Sequence, residues 1–226
     1  MRTLPRPDVD PAVTTAVRLA GVTRLFGPVP AVVRVDLTID RGETIVLRGP
    51  NGAGKSTLLR LVATSLSPTY GSGSVLGFDL VRQRDDIRRR TELLTHRTRL
   101  YEELTARENL RLMADLLSVD PAEADRALAR VGMSDVAGER VRGFSQGMRQ
   151  RVAVARTLLR SPELLLLDEP YTGLDADARH SIDELILTAQ RDGRTVMLAT
   201  HHPLAEGLAH RVVAMEGGTV VPGPRR

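Results

Sequence analysis

The chain has 226 residues, 42% of them hydrophobic, which suits one sizeable domain with a buried core. It contains no cysteine, so disulfides and thiolate metal sites are excluded; an intracellular protein fits that, as would a cysteine-free secreted one. The formal charge is only +4, yet the isoelectric point lies near 10.2. All but one of the 32 basic residues are arginine, which titrates above about pH 12, so the high value reports arginine usage and not a strong positive field.

Residues 1–15 carry three prolines and no apolar periodicity, which predicts a loose leader ahead of a single domain over 16–226. No apolar stretch follows the early arginines, so no secretory signal is expected. The most apolar run, Leu164 to Leu167, falls far short of the ~20 residues of a membrane span. Any membrane crossing must come from another chain.

From Ala16 the pattern is strand-rich. Val17, Leu19 and Val22 precede a turn at Gly27-Pro28, and Val35, Leu37 and Ile39 alternate as in a half-buried strand. Thr44 to Leu47 suits a buried parallel strand, followed by a glycine-rich turn and a helix from Ser56 to about Ser65. Five arginines between Arg82 and Arg90 are broken by Asp85 and Asp86 and read as a solvated helix face. With aromatics at 3%, stacking platforms are scarce and no nucleic-acid partner is expected.

Residues 100–160 read mostly helical. Thr105 and Glu108 have capping-box spacing, and Asp120-Pro121 with Glu123 opens a helix that closes near Gly132. A strand at Leu164 to Leu167, a helix around Ala176 to Gln190 and a strand at Thr195 to Ala199 follow. Arg211 to Met215 and Thr219 to Val221 form a hairpin across Glu216-Gly217-Gly218. Strand–helix–strand order predicts an α/β fold with a parallel central sheet and an N-terminal antiparallel β region. The expected core lobe is 16–95 plus 155–226, with a helical subdomain inserted at 96–154.

Gly49-Pro50-Asn51-Gly52-Ala53-Gly54-Lys55-Ser56, followed by Thr57, satisfies G-x-x-x-x-G-K-[ST] between a strand and a helix. Such a loop turns successive N–H groups and a helix N-terminus toward anionic oxygens. Lys55 is the one lysine in a chain that uses arginine elsewhere, and a compact ammonium fits this cradle where a planar guanidinium is too broad. It would reach the β- and γ-phosphates, and Ser56 would ligate Mg²⁺. The plain alternative is a glycine-rich turn with an incidental lysine.

The Leu164–Leu167 strand ends in Asp168 and Glu169. An Asp there can hold Mg²⁺ at the carboxyl end of the sheet, and a Glu can orient or deprotonate an attacking water. The alternative is an exposed acidic turn before Pro170.

Between these two features stands Gly143-Phe144-Ser145-Gln146-Gly147-Met148-Arg149-Gln150-Arg151, which resembles the signature of ABC proteins. With Gly173-Leu174-Asp175 and Thr200-His201, the motif order resembles a complete ABC nucleotide-binding domain over roughly 16–221. The resemblance implies a P-loop NTPase core, ATP and Mg²⁺ as ligands, and a homodimer that sandwiches two nucleotides. Ser145 and the Gly147 N–H would meet the phosphate held by the other subunit, and Asp175 would line the shared interface. His201 would contact the γ-phosphate, and Phe26 would stack on adenine unless it packs in the core. Integral membrane permease subunits would be contacted near His96 to Tyr101, placing the chain peripherally on the cytoplasmic face of the membrane.

Two departures stand out. The signature reads Phe-Ser-Gln-Gly-Met where the family has Leu-Ser-Gly-Gly-Gln, and His96 replaces a glutamine that touches Mg²⁺ or water. Histidine can hydrogen-bond similarly and adds sensitivity near neutral pH, or it is an ordinary surface residue. Together with Leu100 to Leu110 these features resemble ATP-binding subunits of cytochrome-c-biogenesis haem exporters. The competing expectations are an exporter ATPase for drugs, lipids or peptides, and a soluble ABC ATPase acting on nucleic acid.

Overall fold

The computed structural model describes residues 14–95, 97–205 and 207–221. In chain order the elements begin with β1 (Thr15–Phe26), β2 (Val29–Asp40), β3 (Thr44–Arg48), α1 (Lys55–Val62), β4 (Tyr70–Val75) and β5 (Phe78–Asp79). They continue with α2 (Arg84–Arg90), β6 (Thr91–Thr95), α3 (Ala106–Leu117), α4 (Ala122–Arg130) and α5 (Gln146–Arg160). The last are β7 (Leu164–Asp168), α6 (Ala176–Arg191), β8 (Thr195–Ala199), β9 (Arg211–Glu216) and β10 (Thr219–Val221).

The chain divides into two compact units. One takes the described residues up to Leu93, Pro162–Pro170 and those from Ile186 onward; the other takes Leu94–Ser161 and Tyr171–Leu185. The helical unit therefore includes the segment after β7 and the first part of α6.

The first unit holds two sheets. A six-stranded sheet has the order β10-β9-β3-β8-β7-β6, with β9, β3, β8 and β7 running parallel. A four-stranded antiparallel sheet has the order β2-β1-β4-β5. Alternation sets the core: Ile45 and Leu47 of β3, Leu164 and Leu166 of β7, and Met197 and Ala199 of β8 join Leu58, Leu59 and Leu61 of α1 in one cluster. The intervening Val46, Leu165, Leu167, Val196 and Leu198 are buried too, which explains why these strands read as continuous apolar runs.

Three local outcomes differ from the sequence reading. α1 ends at Val62, because Thr64 enters the left-handed region at φ 54° and the amides of Ser65 and Leu66 close on the Arg60 carbonyl. The Arg82–Arg90 stretch is a helix, but not simply a solvated face. Arg84 and Arg88 both donate to the Thr64 carbonyl, and Arg90 lies 4.6 Å from the Phe78 ring centroid. β4 and β5 were unexpected: the Tyr70–Val75 strand is built largely of glycine and serine.

In the helical unit α3, α4 and α5 pack on one another. Ala106, Leu110 and Ala114 make the buried stripe of α3 at i, i+4, i+8 spacing. The capping box is complete: Thr105 accepts from the Glu108 amide at 3.1 Å, and Glu108 accepts from the Thr105 amide at 2.8 Å. The Thr105 amide, and after it the Thr105 hydroxyl, hold the Glu108 carboxyl below its ordinary pKa.

Candidate nucleotide site

In the first unit β3 runs into the Gly49–Gly54 loop, and α1 starts at Lys55. Gly54 has φ 96°, and a Cβ on it would collide with the Ala31 carbonyl, so backbone freedom and the missing side chain are both required there. The loop is tied to the β9–β10 turn by the Gly218 amide, which donates to the Ala53 carbonyl at 3.2 Å.

Lys55 is buried, and its ammonium lies within hydrogen-bond distance of three groups. They are the carbonyls of Gly49 at 2.7 Å and Pro50 at 3.0 Å, and His201 Nε2 at 3.2 Å. Ser56 Oγ donates to Asp168 Oδ1 at 2.6 Å. These two hard oxygen ligands lie side by side where the loop meets the end of β7. They fit Mg²⁺, which takes one or two protein oxygens and fills its octahedron with water and phosphate.

Glu169 sits at φ 48°, a left-handed conformation that costs a non-glycine residue about 1–3 kcal/mol. Its amide donates to the Ala199 carbonyl at 2.9 Å, which fixes the turn away from β7. Oε2 accepts from the His201 amide at 3.4 Å, while Oε1 has no hydrogen-bond donor and lies 3.3 Å from His201 Nε2. One imidazole nitrogen thus faces both a cation and an anion. The tautomer decides its partner: Nε2 accepts from Lys55 when the ring proton is on Nδ1, and donates to Glu169 when that proton is on Nε2.

Phe26 closes β1 and is 46% exposed, which rules out the core-packing alternative. The Arg24 guanidinium lies 4.8 Å from its ring centroid. Asn51 and Gly52 are exposed at the loop crest, and Thr57 is half-buried in the first turn of α1.

The helical unit carries Ser145, Gly147 and Asp175. Ser145 caps α5 by accepting from the Met148 amide at 3.2 Å, as its place ahead of a helix predicts. Gly147 is buried, and a Cβ on it would come 2.8 Å from Asp175 Oδ2. Asp175 Oδ1 accepts from the Ala178 amide at 2.8 Å and so caps α6. His96 lies outside the described residues.

Two contacts were not read from the sequence. The bond between Lys55 and His201 joins distant segments that share no local pattern. Tyr171 is buried, and its hydroxyl donates to Asp183 Oδ1 at 2.6 Å. Burial and that carboxylate both push the phenol pKa strongly upward. The only signal was an aromatic directly after Pro170.

A phosphate loop at the end of a parallel strand, with an Asp–Glu pair on another strand of the same sheet, defines a P-loop NTPase. The family model described as ABC transporter matches residues 32–172. NatA of Bacillus subtilis (strain 168), an ABC transporter ATP-binding protein, is 38% identical over 85% of this chain and 81% of its own length. The daunorubicin resistance ATP-binding protein DrrA3 of Streptomyces coeruleorubidus is 37% identical over 92% of this chain and 67% of its own length. The Nod factor export ATP-binding protein I of Cupriavidus pinatubonensis is 34% identical over 92% of this chain and 66% of its own length. A solved dimeric ATP-binding cassette in a post-hydrolysis state with ADP and Pi superposes with a TM-score of 0.80 at 28% identity, covering 90% of this chain and 96% of that one. The chain belongs to the ABC transporter family, as its ATP-binding, ATP-hydrolysing subunit. Among the described residues, no helix is long and apolar enough to cross a membrane.

Proposed function

We propose that this subunit drives an export system, working as a head-to-tail homodimer with two ATP molecules at its interface. The carrying observation is the constellation of Lys55, Ser56, Asp168, Glu169 and His201 within one unit, joined by contacts of 2.6 to 3.3 Å. Lys55 exchanges its loop carbonyls for the β- and γ-phosphates, and Phe26 offers adenine a stacking face. Ser56 and Asp168 hold Mg²⁺, which neutralises charge on the phosphates when bound. Glu169 Oε1, which has no donor, takes a proton from the attacking water, and His201 contacts the γ-phosphate. Ser145, the Gly147 amide and the N-terminus of α5 address the phosphate of the second copy, with Asp175 at the shared interface. The dimeric state of the solved cassette supports this pairing.

Export is favoured by relatives whose names specify drug resistance and Nod factor export. The narrower expectation of haem export rests on His96 and the variant signature, and two of the relatives named above carry other compounds in their names. We therefore adopt an exporter ATPase without a haem assignment. Membrane permease subunits dock near His96 to Tyr101, where the Tyr101 side chain is 63% exposed, and hold the chain on the cytoplasmic face of the membrane.

Glu169→Gln tests the reading. The variant should keep ATP binding, lose turnover by about 10²- to 10⁴-fold, and accumulate as an ATP-bound dimer in light scattering. Unaltered phosphate release would remove Glu169 as the base.

A further inference from the structure

Gln146 stands where the family signature has glycine, directly after the Ser145 cap. Its Nε2 donates to the Thr172 carbonyl at 3.3 Å. The same amide covers Gly173, where a Cβ would meet both Nε2 and Oε1 at 3.2 Å. A backbone carbonyl can only accept, which fixes the amide orientation. The Tyr171–Asp175 segment is held at its two ends by other bonds, from the Tyr171 hydroxyl to Asp183 and from the Ala178 amide to Asp175. Gln146 grips its middle from the N-terminus of α5. Beside it, buried Gly147 leaves space for the Asp175 carboxylate, so two successive residues of α5 meet this one loop.

We propose that Gln146 is a positioning residue, clamping the Tyr171–Asp175 loop to the start of α5. Ser145, the Gly147 amide and Asp175 then face a second copy as one preset surface. This deepens the dimeric reading above and rests on it. A surface ordered beforehand loses less conformational entropy on association, so the clamp acts on dimer formation and leaves nucleotide binding alone. A family glycine at position 146 has no side chain to make the bond, and this chain supplies it from the signature itself.

The test uses the full chain with Gln146→Glu, which keeps the shape but removes the donor, and Gln146→Arg, which restores N–H donors on a longer side chain. Amide hydrogen exchange without nucleotide reads the clamp directly. In Gln146→Glu the amides of residues 172–175 should exchange about fivefold faster, the effect of one neutral hydrogen bond, and Gln146→Arg should return toward wild type. In a Glu169→Gln background, Gln146→Glu should raise the protein concentration needed for ATP-driven dimerisation by a similar factor. In an otherwise wild-type chain it should lower kcat with unchanged nucleotide affinity. Wild-type exchange rates in Gln146→Glu would deny the clamp. Faster exchange with unaltered dimerisation and kcat would reduce Gln146 to local support and overturn its positioning role. Failure of Glu169→Gln alone to dimerise with ATP would sink the dimeric reading and this proposal with it. That failure is recognised because the exchange pattern would still show the clamp.

Discussion

The two sites in this chain use similar polar residues in opposite settings. Around Lys55 the charges are buried and hydrogen-bonded: Lys55, 6% exposed, meets two loop carbonyls and His201, and Asp168, 5% exposed, accepts from Ser56. Around Ser145 the polar groups are exposed and occupied chiefly with capping their own helices. Removing one member of a buried set leaves its partners unsatisfied, a cost felt within the single chain. Removing a group from an exposed face costs a lone chain little, and its effect emerges only when something docks there. The first site should therefore fail on its own, and the second only in company.

Lys55→Ala gives the largest contrast. It strips the cation from the Gly49 and Pro50 carbonyls and from His201, so nucleotide affinity should fall about 10- to 100-fold, the value of a charged hydrogen-bond set. Calorimetric titration with ATP measures it, and retained wild-type affinity would break the contrast on the buried side. Gly147→Ala is next. A Cβ 2.8 Å from Asp175 Oδ2 must displace that carboxylate, so ATP-driven dimerisation should weaken about tenfold while nucleotide binding stays intact. Parallel loss of binding and dimerisation would show that the two sites are not separable.

The smallest effect belongs to the α3 cap. Because Glu108 titrates below its ordinary value of 4.5, its contribution to stability is complete above that pH and is lost as the pH falls through the folded-state value. Glu108→Gln does not titrate, so thermal melts of the wild type should decline more steeply than those of the variant as the pH drops below about 4.5. Identical slopes would remove the cap from the pH response.

Much of the buried site was legible because its physics is local. A glycine-rich loop, a lone lysine and an acid-ended apolar strand announce themselves within a few residues. The capping serine and the complete capping box were readable for the same reason. β4 was not, because its sequence reports a close approach and not a propensity. Gly71 sits at φ 85°, and a Cβ there would strike the backbone of Gly21 and Val22 in β1. β1 itself loses alternation between Leu19 and Val22, where its pairing with β2 shifts register. The arginine cluster misled because charge alone does not say whether a guanidinium meets water or a carbonyl such as that of Thr64. The meeting of His201 with Lys55 depends on the order of strands in the sheet, which no short pattern encodes.

The left-handed backbone of Glu169 carries a consequence for how such a subunit responds to selection. Glycine or asparagine at that position would relieve the strain and raise the melting temperature. A screen for heat tolerance that ignored turnover would drift toward those residues and discard the carboxylate. On the proposed role of Glu169 as the base, glutamate there marks a place where selection for work has outweighed selection for durability.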